Sequence, residues 1–229
     1  YKDLFSLRYM RVGVLFSGGK DSMYAAWLAK KQGYAIECVI TLYSENKDSF
    51  MFHTPGIELV EKQALLMDIP LVRQETAGEK EDEIIDLEKA IKKAIKKHAI
   101  DGIVTGAVGS VYQASRIQTI CNKLGIECFN PLWQKNQIEL LEEIIKSKFE
   151  VIISGVAAYP FDAKWVGRRI DTKFIEKIKE MQEKYKINPA GEGGEFESLV
   201  LSCPFFKKKL DVKIKDVVGE GNAWRAVFE

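Results

Sequence analysis

Short apolar runs alternate with longer amphipathic stretches through the first half of the chain. Val12 to Phe16 is apolar and is followed by a helical pattern from Ser22 to Gln32. Ile36 to Leu42 is a second run, rich in β-branched residues, and Ile57 to Met67 reads as a helix before a short strand from Leu71 to Gln74. From Glu79 to His98, Ile84, Leu87, Ile91 and Ile95 fall on one helical face. Acids lead that stretch and lysines trail it, which complements a helix dipole at both ends. Ile103 to Thr105, Val111 to Leu124 and Ile126 to Phe129 continue the series as strand, helix and strand. Short apolar strands joined by helices predict a parallel sheet covered on both faces, with right-handed crossovers. The expected fold is therefore α/β, doubly wound and Rossmann-like, with its ligand at the carboxyl ends of the strands.

The remainder is less regular. Ile138 to Ser147 reads as a helix, Val151 to Val156 as a strand and Thr172 to Tyr185 as a helix. A glycine-rich acidic segment follows at Gly191-Glu192-Gly193-Gly194-Glu195-Phe196-Glu197. Lys209 to Phe228 alternates like a hairpin turned at Gly219-Glu220-Gly221-Asn222. A boundary near residue 132 divides the chain into a nucleotide-binding domain, 1–132, and a smaller α+β substrate-binding domain, 133–229. Residues 1–9 carry no secretory apolar core and precede Met10, so they read as a leader or expression remnant.

Composition narrows the class. With 229 residues, 46% of them hydrophobic, the chain can bury one sizeable core or two modest ones. Its formal charge of +1 lacks the basic excess expected when nucleic acid is the main partner, so no stable nucleic-acid binding is expected. Cys38, Cys121, Cys128 and Cys203 form no C-x-x-C pair, which argues against a zinc or dithiol site and for a cytoplasmic protein without a disulfide framework. No apolar run approaches about 18 residues, so no membrane span is expected.

The sharpest chemistry lies after the first strand, at Ser17-Gly18-Gly19-Lys20-Asp21-Ser22. Paired glycines let the backbone approach a ligand closely, and the helix that follows aims its free amides at an anion. Ser17 and Ser22 add hydroxyls, Lys20 adds a positive charge, and Asp21 can hold Mg²⁺ between phosphate oxygens. The spelling is not a Walker A loop, because Gly19 stands where its lysine belongs and Asp21 follows Lys20. It is not the dinucleotide fingerprint either.

The string resembles the SGGKDS loop of the N-type ATP pyrophosphatases, the PP-loop superfamily. That resemblance implies an adenine nucleotide alpha hydrolase-like fold and ATP cleaved between its α and β phosphates. Further strings resemble one branch, the diphthine–ammonia ligases. They are Ser44-Glu45-Asn46, Ser49 to Thr54, Thr105-Gly106-Ala107-Val108 with Tyr112-Gln113 and Arg116, Pro131-Leu132-Trp133, Phe161 to Trp165 with Gly167-Arg168 and Asp171, and Gly191 to Ser198. The likeness implies ATP-dependent amidation, with ammonia, of the diphthine carboxylate on translation elongation factor two. It passes through an acyl-adenylate and yields diphthamide, AMP and pyrophosphate.

Placed on the expected fold, Ser44 and Asn46 lie past the second strand, where adenosine can bind, and His53 follows as either a ligand contact or a packed loop residue. Gly106 ends the fourth strand, where a side chain would crowd the nucleotide. Gln113 and Arg116, one helical turn apart, can both face phosphates. Lys20 and Asp21 are expected at the phosphate end. Gly191, Glu192, Gly193, Gly194, Glu195 and Glu197 are expected to cradle the substrate. Glu195 and Glu197, with Tyr159, Phe161 or Trp165, would hold its trimethylammonium group by charge and ring-face attraction, and Asp162 is also expected among the substrate-binding residues. Glu192 or Glu195 would take the proton from ammonium. No glutaminase segment is evident, so free or partner-supplied ammonia is implied. Three alternatives stay open: a PP-loop enzyme acting on tRNA, one acting on a small carboxylic acid, and a non-catalytic AMP- or ATP-binding protein. A homo-oligomer also stays open.

Overall fold

The computed structural model describes residues 9–44, 57–77 and 80–229. The first half forms a five-stranded parallel sheet of β1 (Arg11–Leu15), β2 (Ala35–Ser44), β3 (Leu71–Thr76), β4 (Gly102–Val104) and β5 (Glu127–Phe129), ordered β3-β2-β1-β4-β5. Four helices cover it: α1 (Lys20–Lys31), α2 (Ile57–Met67), α3 (Lys80–His98) and α4 (Val111–Leu124). The order reverses between β1 and β4, and a doubly wound sheet opens its binding crevice at that point.

Side-chain alternation along β1 explains why both faces are buried. Val12, Val14 and Phe16 join one apolar cluster, with Met23 and Ala26 of α1. Leu15 joins the other, where Leu87, Ile91 and Ala94 of α3 meet Ile117 and Cys121 of α4. Helix α3 thus buries the stripe its sequence periodicity predicts.

The second half contributes α5 (Gln137–Lys146), β6 (Glu150–Val156), a short 3-10 turn at Ala163–Trp165, α6 (Thr172–Tyr185), β7 (Phe196–Ser202), β8 (Ile214–Glu220) and β9 (Ala223–Phe228). Its strands form an antiparallel sheet ordered β7-β6-β9-β8. The tail is the expected hairpin, although its first strand starts at Ile214, not Lys209. Strand β7 carries no sequence expectation; it begins inside the glycine-rich segment, which reads as a loop by composition.

Helix α1 lies between the two sheets. Trp27 meets Phe205 edge to face at 5.3 Å, Tyr24 meets Phe149 at 5.6 Å, and the Tyr24 hydroxyl donates to Glu143 at 3.0 Å. One apolar cluster runs from Val14 and Met23 to Ile144, Phe174 and Val200, so the core continues across residue 132. Among the described residues, no helix is long and apolar enough to cross a membrane.

Candidate active site

The turn after β1 places Gly18 at φ +78° and Gly19 at the N-cap of α1. A Cβ on Gly18 would sit 2.5 Å from the side-chain oxygen of Gln63, so this position combines a left-handed backbone with no room for a side chain. The loop is tied to itself through serines. The Ser17 amide donates to Ser22 Oγ at 3.3 Å, the Ser22 hydroxyl donates to the Gly19 carbonyl at 3.2 Å, and the Gly19 amide donates to Ser17 Oγ at 3.4 Å.

The second half of the chain completes the site. The Lys20 amide, one of the free donors at the start of α1, donates to Ser198 Oγ of β7 at 3.1 Å. The Lys20 ammonium is only 3% exposed; it donates to Asp21 Oδ2 at 2.8 Å and to the Ala190 carbonyl at 2.5 Å, and lies 5.3 Å from the centre of the Phe196 ring. An ammonium has three donors, so one is left for a ligand. The Val200 amide donates to the Gly18 carbonyl at 3.2 Å. Around these contacts lies a cleft of about 130 Å³ lined by Ser17, Gly19, Lys20, Asp21, Gly191, Phe196, Glu197 and Ser198.

The glycine-rich segment does two different jobs. Glu195 is 7% exposed and turns inward, where its Oε1 accepts from the Asn188 amide at 2.7 Å and the Asn188 side chain at 2.8 Å, and its Oε2 accepts from the Gly193 amide at 2.8 Å. The carboxylate on which catalysis was expected is the brace of its own loop. Gly191 and Gly194 turn the chain around it, the Gly194 amide donating to the Gly191 carbonyl at 3.0 Å. Glu192 instead reaches the loop after β4, accepting from the Gly109 amide at 2.9 Å. Burial pushes the Glu192 carboxyl above the ordinary range and the charge of Asp21 adds to this, while the Gly109 amide and Lys20 pull the other way.

Several expected residues sit elsewhere. Gly106 is needed for packing against α1, since a Cβ there would come within 2.7 Å of the backbone of Asp21 and Ser22. Gln113 and Arg116 stand on α4 but do not line the cleft; the Arg116 guanidinium lies 4.0 Å from the centre of the Tyr112 ring. Asp162 caps the 3-10 turn by accepting from the Lys164 amide at 3.0 Å. Phe161 and Trp165 are 1% and 8% exposed and meet each other edge to face, Phe161 also packing on Phe196 and Trp165 on Phe174, so both belong to the core; the cation over the Trp165 ring is the Arg168 guanidinium, 4.6 Å from its centre. Tyr159 is exposed, its ring against Tyr185. Ser44 ends β2 at its carboxyl end. His53, Glu45 and Asn46 lie outside the described residues.

Two residues at the loop were not singled out from the sequence. Ser198 had a signal, since it closes the segment that carries the resemblance. Gln63 had none, being a lone amide in an amphipathic helix.

Asp21 Oδ1 is buried and has no hydrogen-bond partner, which fits a cation brought in by phosphate. Among the described residues, no group of three or more His, Cys, Asp or Glu could hold a metal unaided. The donors therefore suit Mg²⁺ shared between one carboxylate and phosphate oxygens, a common arrangement for that ion.

A doubly wound sheet that delivers a glycine loop and a helix N-terminus to its switch point defines an α/β protein built to hold a nucleotide's phosphates. The chain belongs to the diphthamide synthase family: residues 10–128 match the diphthamide synthase N-terminal domain and residues 136–227 match its C-terminal domain. The human relative, named diphthine–ammonia ligase, is 35% identical over 91% of this chain and 85% of its own length. A fission yeast relative of the same name, from Schizosaccharomyces pombe, is 33% identical over 91% of this chain, which spans 37% of that longer protein. Among solved structures, one described as a predicted subunit of tRNA methyltransferase from Methanocaldococcus jannaschii is 19% identical, with a TM-score of 0.43 over 87% of this chain and 99% of its own. The relatives' name is that of a ligase, and the family makes diphthamide.

Proposed function

We propose that this chain amidates the diphthine carboxylate of translation elongation factor two with ATP and ammonia. The observation that carries this reading is that the phosphate loop and the glycine-rich segment share one cleft, tied together by Lys20 to Ala190 and Ser198 to Lys20. Residues 1–132 supply the nucleotide side and residues 133–229 the acceptor side.

In the proposed reaction a carboxylate oxygen of diphthine attacks the α-phosphorus of ATP. The bond from that phosphorus to the oxygen bridging the β-phosphate breaks, and pyrophosphate leaves. The positive N-terminal end of α1 and the spare Lys20 donor stabilise charge on the departing group. Asp21 would hold Mg²⁺, which would supply positive charge against the departing pyrophosphate. Ammonia then attacks the acyl carbon, AMP leaves, and a proton passes from nitrogen to a base.

Glu192 suits the base role better than Glu195. Its carboxyl is raised toward neutrality and adjoins Asp21, whereas all the hydrogen bonds found for the Glu195 carboxylate serve its own loop. Glu197 lines the cleft and adds negative charge for the trimethylammonium group.

The test is pyrophosphate release from Mg-ATP and ammonium, with and without diphthine-bearing elongation factor two. Release that requires the factor, yields AMP and is lost in Asp21→Ala is the expected result. Tight ATP binding without stimulation by the factor would overturn the acceptor assignment and redirect the search to tRNA and small acids.

A further inference from the structure

Gln63 is fully buried on α2, and its side-chain amide points at the phosphate loop. Its Nε2 donates to the Gly18 carbonyl at 3.0 Å and to the Val200 carbonyl of β7 at 2.8 Å. Both partners are carbonyl oxygens, so the amide orientation is set: turned over, it would face oxygen to oxygen. Its Oε1 is then left buried without a hydrogen-bond partner, in the space that a Cβ of residue 18 would occupy.

A buried polar group that leaves an acceptor unsatisfied costs stability unless it does something an apolar residue cannot. Here it performs two linked tasks. The Nε2 bonds tie the carbonyl of Gly18, and with it the left-handed turn, to β7, which already receives the same carbonyl through the Val200 amide. The Oε1 fills the space beside Gly18, 2.5 Å from where a Cβ would sit. The peptide after Gly18 therefore points its amide, that of Gly19, away from Gln63, on the side where the cleft is lined by Ser17, Gly19 and Lys20.

We infer that Gln63 is a positioning residue that sets the phosphate loop for the β and γ phosphates and couples its shape to β7, the strand that carries Phe196, Glu197 and Ser198. This rests on the reading of the loop as the pyrophosphate site. It touches no substrate; it acts through Gly18. Because AMP lacks the phosphates in question, its binding is insensitive to Gln63.

The test is calorimetric titration of the whole chain and of Gln63→Met and Gln63→Glu with Mg-pyrophosphate, Mg-ATP and AMP. Met keeps the length without hydrogen bonds, and Glu keeps the shape but sets a carboxylate against two carbonyls. The expected result is pyrophosphate and ATP affinity reduced about tenfold or more, which corresponds to roughly 1.4 kcal/mol, with AMP affinity within about twofold of wild type. Pyrophosphate affinity within twofold of wild type in whichever variant remains folded would overturn the inference. So would an equal loss of AMP binding, which would make Gln63 a general packing residue. If the wild-type chain binds neither ATP nor pyrophosphate, the loop reading itself fails and this inference falls with it.

Discussion

At the scale of single residues, the site separates carboxylates that look equivalent in sequence. Glu192, Glu195 and Glu197 lie within six positions of one another, yet one braces its loop, one lines the cleft and one links two loops beside Asp21. Environment assigns them, through the donors each meets and the water each loses. The raised carboxyl of Glu192 has a kinetic consequence. As the proposed base, it is protonated below its pKa and then unable to take a proton from the attacking nitrogen, so turnover is expected to fall as pH drops through that value. Because the value is raised, the fall begins closer to neutrality than for an ordinary carboxylate. Glu192→Gln should remove this acidic limb and lower the plateau by about 10²-fold, measured as pyrophosphate and amide formation at fixed free ammonia. An unchanged limb in the variant would assign the titration to another group.

At the scale of elements, the N-terminus of α1, the proposed phosphate site, is shaped by three elements distant in sequence. Strand β7 caps Lys20 through Ser198, α2 holds Gly18 through Gln63, and the loop after β4 leaves room at Gly106 for the first turn. The helix has no side-chain cap of its own, since Gly19 occupies the N-cap. Ser198→Ala should therefore behave as the loss of an N-terminal cap, costing about 1 kcal/mol of stability in denaturant unfolding. It should also loosen ATP binding, because Ser198 lines the cleft and its hydroxyl holds the first turn of α1 against β7. Retained stability with weakened ATP binding would mean that the hydroxyl serves only the ligand. The absence of β7 from the sequence expectation has a physical cause. Its first residues belong to a glycine-rich acidic segment whose composition favours turns, and pairing with β6 together with burial against α1 makes it a strand.

At the scale of the whole molecule, the two sheets share a core through α1, so the segments matched on either side of residue 132 pack against one another across a continuous apolar cluster. Met23, Tyr24 and Trp27 of α1 are covered by Ile144, Phe149 and Phe205 from the second half. A fragment ending at residue 132 would expose that apolar face to water. It is expected to lose cooperative unfolding and to bind hydrophobic dyes, with circular dichroism and dye fluorescence as the measurements. A fragment that unfolds cooperatively and binds ATP like the full chain would show that the first half is independent.

By itself, the sequence determined the doubly wound α/β half, the boundaries of α2, α4 and α6, the tail hairpin and the anion-binding turn after β1. Those features rest on local periodicity, turn chemistry and a contiguous motif, which read the same before and after folding. Only the tertiary structure decided that Glu195 is a brace, that Phe161 and Trp165 are core, that Gly106 makes room for a helix, and that Gln63 and Ser198 hold the phosphate loop. Each of these depends on a partner far away in sequence, 178 positions in the case of Ser198 and Lys20. A carboxylate or an amide carries no mark in its own neighbourhood of which distant donor it will meet.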